Sequence, residues 1–192
     1  AASAGFAGLQ WFQGKINAPG PMAGSDDQIV MVPRGSGVIR IGQQLESEGL
    51  ISDSRLFRLA ARYEGLDSSL KAGEYLIPAD ASMVDILELM HEGKVLLHPI
   101  QVIEGSTVAQ AFRAIEAADF LSGDMPELPE EGSLLPETHA FTRGTSRQEV
   151  VQTFMRYQDE LLDEIWPQRQ DDLPFDTQGE AVILASIVEK ET

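Results

Sequence analysis

Two carboxylates close the chain, Glu189 and Glu191, one residue apart at the end of the run Gly179-Glu180-Ala181-Val182-Ile183-Leu184-Ala185-Ser186-Ile187-Val188-Glu189-Lys190-Glu191-Thr192. At helical spacing, Leu184, Ile187, Val188 and Glu191 share one face. A carboxylate thus continues an apolar stripe. Carboxyl groups in such settings lose hydration and hold their proton more tightly, which suits a general acid. Glu189 is different: its neighbours at i−3 and i−4 are Ser186 and Ala185, a smaller and more polar side. The same Glu-Lys-Glu also reads as a plain charged helix end. Other chemistry is thin. The histidines His91, His98 and His139 are scattered and form no ligand pattern, so neither a metal nor an organic cofactor is implied. There is no cysteine, which excludes thiol catalysis, disulfides and thiolate metal sites.

The elements that must position these residues follow from periodicity. Gln28-Ile29-Val30-Met31-Val32-Pro33 reads as a short strand. Helices follow at about 37–48, with Val38, Ile41 and Leu45 on one face, and about 53–64, with Leu56, Leu59, Ala60 and Tyr63 as its stripe. Gly73-Glu74-Tyr75-Leu76-Ile77-Pro78 reads as a second strand. Two short strands are marginal alone, so both helices are expected on one sheet face, with a small core of their own. Ser82 to Asp85 resembles a capping box opening a helix over 83–92. Val95 to Glu104 is strand-like, and Pro99 makes it an edge or two-part strand. A helix follows at about 108–118. Residues 119–144 are rich in turn formers and are expected to be irregular, but packed down through Leu134, Leu135 and Phe141. A helix near 146–165 carries Val150, Val151, Phe154, Leu161 and Ile165 as its core face. The last helix holds the two glutamates.

Composition sets limits. The chain has 192 residues, 43% of them hydrophobic, and 31 acidic against 14 basic residues, a net charge of −17. The acid is uneven: residues 1–95 carry a net −4 and residues 116–192 a net −13. No basic footprint for nucleic acid is visible. No stretch reaches the roughly 18 apolar residues of a membrane span. The uncharged start, Ala1 to Phe12, reads equally as the outer end of a membrane anchor with Trp11 at the interface and as an ordinary short helix. Residues 13–27, with Gly14, Pro19-Gly20-Pro21 and Gly24-Ser25-Asp26-Asp27, read as a linker.

Glu131-Gly132-Ser133-Leu134-Leu135-Pro136-Glu137-Thr138 and Ile183-Leu184-Ala185-Ser186-Ile187-Val188-Glu189-Lys190-Glu191-Thr192 resemble two signature segments of the endolytic peptidoglycan (murein) transglycosylases, the MltG or YceG-like family. Leu70-Lys71-Ala72-Gly73-Glu74-Tyr75 and Val102-Ile103-Glu104-Gly105-Ser106-Thr107 are similar to two weaker ones. The resemblance spans about 28–192. Two positions depart from it: Ser133 stands where the family has an aromatic, and His139 where it has Tyr or Trp. As a lone loop histidine, His139 is expected at the surface with no role in proton transfer.

The resemblance implies an α+β fold: residues 1–27 as anchor end and linker, 28–79 as a LysM-like strand-helix-helix-strand module, and 80–192 as a connecting region and the first part of a mixed α/β catalytic domain. It places the catalytic acid on Glu191. Glu104, Glu137 and Thr138 become candidates for substrate contact, although the residues themselves favour Glu104 as a cap of the helix at 107–118 and Glu137 as a residue that orders its own loop. The implied reaction cleaves the MurNAc-β-1,4-GlcNAc bond of nascent peptidoglycan and leaves 1,6-anhydro-MurNAc ends, with no cofactor. The implied setting is a single-pass protein of the bacterial inner membrane with its catalytic part in the periplasm. Expected partners are peptidoglycan strands and peptidoglycan synthases, not nucleic acid. Family members run well beyond Thr192, so this chain is expected to be C-terminally truncated, inactive alone, and prone to self-association through Leu184, Ile187 and Val188. The rival expectation is a non-catalytic module that binds glycan or a component of the division or elongation machinery.

Overall fold

The computed structural model describes residues 2–191, with side chains from Phe6 onward. Thr192 of the terminal motif, and the side chains of the first five residues of the uncharged start, lie outside the described residues. The chain divides into two compact units, Ala1–Leu96 and Leu97–Thr192.

The first unit contains α1 (Ala2–Ile16), β1 (Gln28–Val32), α2 (Val38–Ser47), α3 (Ser54–Tyr63), β2 (Gly73–Ile77) and α4 (Met83–Glu92). β1 and β2 pair antiparallel, Gln28 with Ile77 through to Val32 with Gly73, as the sequence predicts. Alternation sends Val30, Val32, Tyr75 and Ile77 inward. There they meet Ile41 and Leu45 of α2, and Phe57, Ala60 and Ala61 of α3, in one cluster. Both helices therefore cover the same sheet face. The core is not confined to residues 28–79: Ile16 of α1 and Met83, Ile86, Leu87 and Met90 of α4 belong to it. The Ser82–Asp85 capping box forms, with Ser82 Oγ accepting from Asp85 N and the Asp85 carboxylate accepting from Ser82 N.

Two expectations change here. The linker does not begin at residue 13. α1 runs on to Ile16, which is buried, and Gly20 N donates to the Ala81 carbonyl at 3.1 Å. Gly14 costs a helix about 1 kcal/mol, but burying an isoleucine returns about 1.5–3 kcal/mol. The stripe of α3 is also rotated. Phe57, Ala60 and Ala61 face the core, while Leu59 and Tyr63 are exposed. Phe57 is the largest apolar group on the helix. Seating it inward turns the arginines at 55, 58 and 62 outward, and Leu59 goes with them.

The Lys71-Ala72-Gly73-Glu74-Tyr75 segment acts as a tie. Tyr75 Oη donates to the Lys71 carbonyl at 2.8 Å, and Lys71 Nζ donates to the Glu92 carbonyl at the end of α4 at 3.0 Å.

The second unit contains β3 (Leu97–Gln101), α5 (Val108–Ala117), β4 (Thr138–Thr142), α6 (Arg147–Ile165), a 3₁₀ turn (Trp166–Gln168) and α7 (Gln178–Glu191). β4 lies within the stretch expected to be irregular. It pairs antiparallel with β3, Leu97 with Thr142 through to Gln101 with Thr138, and Pro99 faces Ala140. Both are edge strands of a two-stranded sheet, so Pro99 can sit where no ladder hydrogen bond is needed from it. The stretch packs down as expected: Leu121, Leu134 and Leu135 of the loop and Phe141 of β4 are buried. Arg147 holds its start, donating to the carbonyls of Leu121, Gly123, Glu116 and Ala118. On α6, Val150, Val151 and Phe154 are buried, but Leu161 and Ile165 are exposed. The core face of that helix ends near Gln158, two turns earlier than its apolar pattern suggests.

Candidate active site

α7 carries the two glutamates, and its own first turn sets where it begins. Thr177 Oγ1 accepts from Glu180 N at 3.2 Å, and the Glu180 carboxylate accepts from Asp176 N at 2.9 Å and Thr177 N at 3.1 Å. These bonds, the one from Asp176 first, hold the Glu180 carboxyl below the ordinary glutamate range. This is a capping box written as Thr-x-x-Glu, and its sequence signal at 177–180 is legible although no reading above used it.

Two glycine turns seat the helix. A Cβ placed on Gly132 would lie 2.7 Å from Val182 Cγ1; one on Gly105 would lie 3.4 Å from Lys190 Cγ and 3.8 Å from Glu189 Cγ. Both glycines have positive φ, +81° and +67°. They end the two Glu-Gly pairs singled out in the sequence, Glu131-Gly132 and Glu104-Gly105. Glycine serves twice at Gly132, by permitting the left-handed backbone and by letting α7 approach; at Gly105 a Cβ would meet α7 only at ordinary contact distance, and the positive φ alone calls for glycine.

Val182 and Glu189 are seven residues apart and so lie on one line of the helix. That line rests on the turns. The stripe of Leu184, Ile187, Val188 and Glu191 falls on the opposite side and is exposed, Ile187 at 53% and Val188 at 57%. Glu191 is itself exposed. The two glutamates are thus separated by face, as periodicity predicts. The dehydrated setting expected for Glu191 is not formed by the described residues.

The other candidates gather at one end of the β3–β4 sheet. Thr138 pairs with Gln101 in register, and the Glu137 carbonyl accepts from Val102 N at 2.9 Å. Glu104 follows two residues later, in the turn that meets the last turn of α7. Glu104, Glu137 and Thr138 are all exposed. The alternative helix-capping role for Glu104 falls to other residues. Thr107 and Gln110 form the capping box of α5, and the Glu131 carboxylate accepts from Val108 N at 2.9 Å. That role of Glu131 spans 23 residues, and nothing local in the sequence signals it.

His139 is not a loop histidine at the surface. It lies in β4, half-buried, with its ring 4.5 Å from that of Tyr157 and 5.1 Å from that of Phe154. Its Nε2 stands 3.3 Å from Glu137 Oε2, within ion-pair distance but outside hydrogen-bonding geometry. An aromatic ring is therefore present at this family position, but it is packed into the unit. At the other departure, Ser133 Oγ donates to the Glu130 carbonyl at 2.7 Å and closes a turn.

Comparison with known proteins agrees with the motifs. Two curated relatives, both named endolytic murein transglycosylase, come from Streptococcus pneumoniae, one from serotype 2 strain D39 and one from strain R6. Each is 25% identical to this chain over 205 aligned positions, covering 84% of this chain and 36% of the relative. The chain thus spans little more than a third of their length. A crystal structure of a yceG-like protein from Listeria monocytogenes aligns with a TM-score of 0.40 at 20% identity, covering 74% of this chain and 57% of that one. The model of the YceG-like family matches residues 30–192, and on that match the chain belongs to the YceG-like family.

Proposed function

We propose that the whole protein is an endolytic lytic transglycosylase with Glu191 as its acid–base. The observation that carries this reading is the seating of α7: one side lies on two Glu-Gly turns, and the opposite side offers an uncovered apolar stripe ending in a carboxyl group. The names of the pneumococcal relatives support the reaction class.

In the proposed step, the Glu191 carboxyl donates its proton to the glycosidic oxygen, and the bond from muramic acid C1 to that oxygen breaks. The carboxylate then takes the proton of the C6 hydroxyl, whose oxygen bonds to C1 and closes the 1,6-anhydro ring. No water is consumed. One carboxyl group serves both transfers, so the paired carboxylates of hydrolytic glycosidases are not needed. A productive acid requires a shaped, partly dehydrated site, and Glu191 is exposed here. Residues 1–192 alone are accordingly proposed to be inactive. Residues 28–79, with their strand-helix-helix-strand order, are read as a LysM-like glycan-binding module. The uncharged start is read as the outer end of an inner-membrane anchor, with the rest in the periplasm.

The test uses the full-length protein and mass spectrometry of digested glycan. Glu191→Gln should keep thermal stability and glycan binding while lowering release of anhydro-muramic ends by about 10²–10⁴-fold. Glu189→Gln should cost far less. If Glu189→Gln abolishes turnover and Glu191→Gln spares it, the assignment is wrong.

A further inference from the structure

Side chains two apart on a strand share a face, so Glu137, His139 and Phe141 lie on one side of β4 and of the residue that leads into it. Their burial is graded along that line: Phe141 is in the core, His139 is half-buried and Glu137 is exposed. The His139 ring is fixed by its neighbours on α6, Phe154 edge-on at 5.1 Å and Tyr157 at 4.5 Å. Four buried side-chain atoms, Ser36 Oγ, His139 Nε2, Arg147 Nε and Gln158 Oε1, lack a hydrogen bond among the described residues. Of these, His139 Nε2 is the one within ion-pair distance of a carboxylate, 3.3 Å from Glu137 Oε2. A buried nitrogen is costly without a partner, and here the packing of the ring aims it at one. The Glu137 backbone is held as well. Its carbonyl accepts from Val102 N at 2.9 Å, and its amide donates to the Leu135 carbonyl at 3.0 Å. What remains free is the Glu137 side chain. Arg156, the cation beside Tyr157, is engaged elsewhere: it lies over the Tyr157 ring at 4.3 Å and pairs with Glu160 at 2.8 Å.

We infer that His139 is a positioning residue for glycan: its Nε2–H fixes the Glu137 carboxylate at the end of the β3–β4 sheet, where that carboxylate accepts hydrogen bonds from the hydroxyl and acetamido N–H groups of an aminosugar strand. The inference deepens the glycan reading above and rests on it, since Glu137 must touch the strand. A charge-assisted N–H···O bond closes at about 2.7–2.9 Å, so a shift of the carboxylate by roughly half an ångström completes it. The Glu137 side chain is 59% exposed, so one oxygen can face the imidazole and the other the sugar. A free glutamate loses side-chain freedom when it binds a ligand, which weakens the complex; an acceptor already held loses less. The imidazole moves no proton in the reaction. Its effect is on how firmly glycan is held.

The experiment measures binding of peptide-free glycan strands by calorimetry, with full-length protein carrying Glu191→Gln so that bound strands are not cut. Glu137→Ala should weaken binding by on the order of tenfold to a hundredfold, the worth of a hydrogen bond to a charged group. Two substitutions at position 139 separate positioning from packing. His139→Phe keeps a ring against Phe154 and Tyr157 but has no nitrogen. It should leave the unfolding midpoint in place and weaken binding about twofold to tenfold, the cost of ordering one free side chain. His139→Gln carries an N–H near the same place but no ring. It should lower the midpoint and still bind as its parent does. With Glu137→Ala already present, His139→Phe should weaken binding no further. Affinity that follows the unfolding midpoint rather than the N–H, or an equal loss from His139→Phe with and without Glu137, would overturn the inference. So would a Glu137→Ala variant that binds as tightly as its parent. That last result would leave the Glu191 assignment standing, because turnover by the full-length protein tests it separately.

Discussion

Replacing Gly132 by alanine tests whether the Glu131-Gly132 turn is the seat of α7. The substitution acts in two ways that can be separated. Gly132 has φ +81°, and a Cβ in the left-handed region costs about 1–2 kcal/mol. That part falls on the second unit as a whole, because the turn leads into the buried Leu134 and Leu135. The new Cβ would also lie 2.7 Å from Val182 Cγ1, whereas carbon atoms rest at about 3.5–4.0 Å. If nothing moved, an overlap of that size would cost about 1–3 kcal/mol. α7 has no buried residue, so moving away is cheaper than straining the core. The steric part should therefore appear as undocking of α7. Urea unfolding of Gly132→Ala should show only the first part, about 1–2 kcal/mol. Amide exchange across Val182 to Lys190 should quicken by roughly tenfold to a hundredfold, since each 1.4 kcal/mol is a factor of ten. Adding Val182→Ala removes the overlap and should restore much of the protection of α7 without restoring global stability. Unchanged exchange in α7, or a double variant no better protected than the single one, would refute the reasoning.

Other consequences can be checked as directly. Burial raises the Tyr75 hydroxyl above its ordinary value near 10, so its contribution to folding is complete below that value and is lost as pH rises through the folded one. Tyr75→Phe should cost about 1 kcal/mol near neutral pH, because the hydrogen bond to Lys71 is gone. The gap between the two urea midpoints should narrow above roughly pH 10, and a gap independent of pH would contradict this. The Glu180 carboxyl is held low by the amides of Asp176 and Thr177, so the cap of α7 is complete above the unfolded glutamate value of about 4.3 and fails as pH falls through the lowered folded value. Cα chemical shifts of the first turn of α7 should follow that titration in the wild type and show a frayed, pH-independent turn in Glu180→Ala.

Much of the fold is legible along the chain because it depends on local spacing. The strand at 28–32, the helices opened by Ser82 and Thr107, and the last helix with its two glutamates all follow from period and capping chemistry within a few residues. The separation of Glu189 from Glu191 by face needs only the helical repeat. The misreadings share a cause. On α3, two apolar stripes compete in sequence, Leu56-Leu59-Ala60-Tyr63 and Phe57-Ala60-Ala61. Only the cluster with β1, β2 and α2 decides for the second. β4 went unseen because Thr138-His139-Ala140-Phe141-Thr142 buries one side chain, Phe141, too little alternation to register until β3 lies beside it. α1 runs past Gly14 because Ile16 finds a core whose other members are distant in sequence.

The candidate site divides in the same way. The sequence by itself determined which residues can do chemistry: a carboxyl group closing an apolar stripe, two Glu-Gly pairs and a Glu-Thr pair, in a chain without cysteine. It did not determine what those groups do for one another. Only the tertiary structure put both glycines under α7, gave the amide of Val108 to Glu131 rather than to Glu104, and packed His139, half-buried, against Phe154 and Tyr157. The physical reason is range. Helical period and capping act over three or four residues, whereas a close approach at a positive-φ glycine and a carboxylate 23 residues from its amide partner exist only once the loop between α5 and α6 has packed.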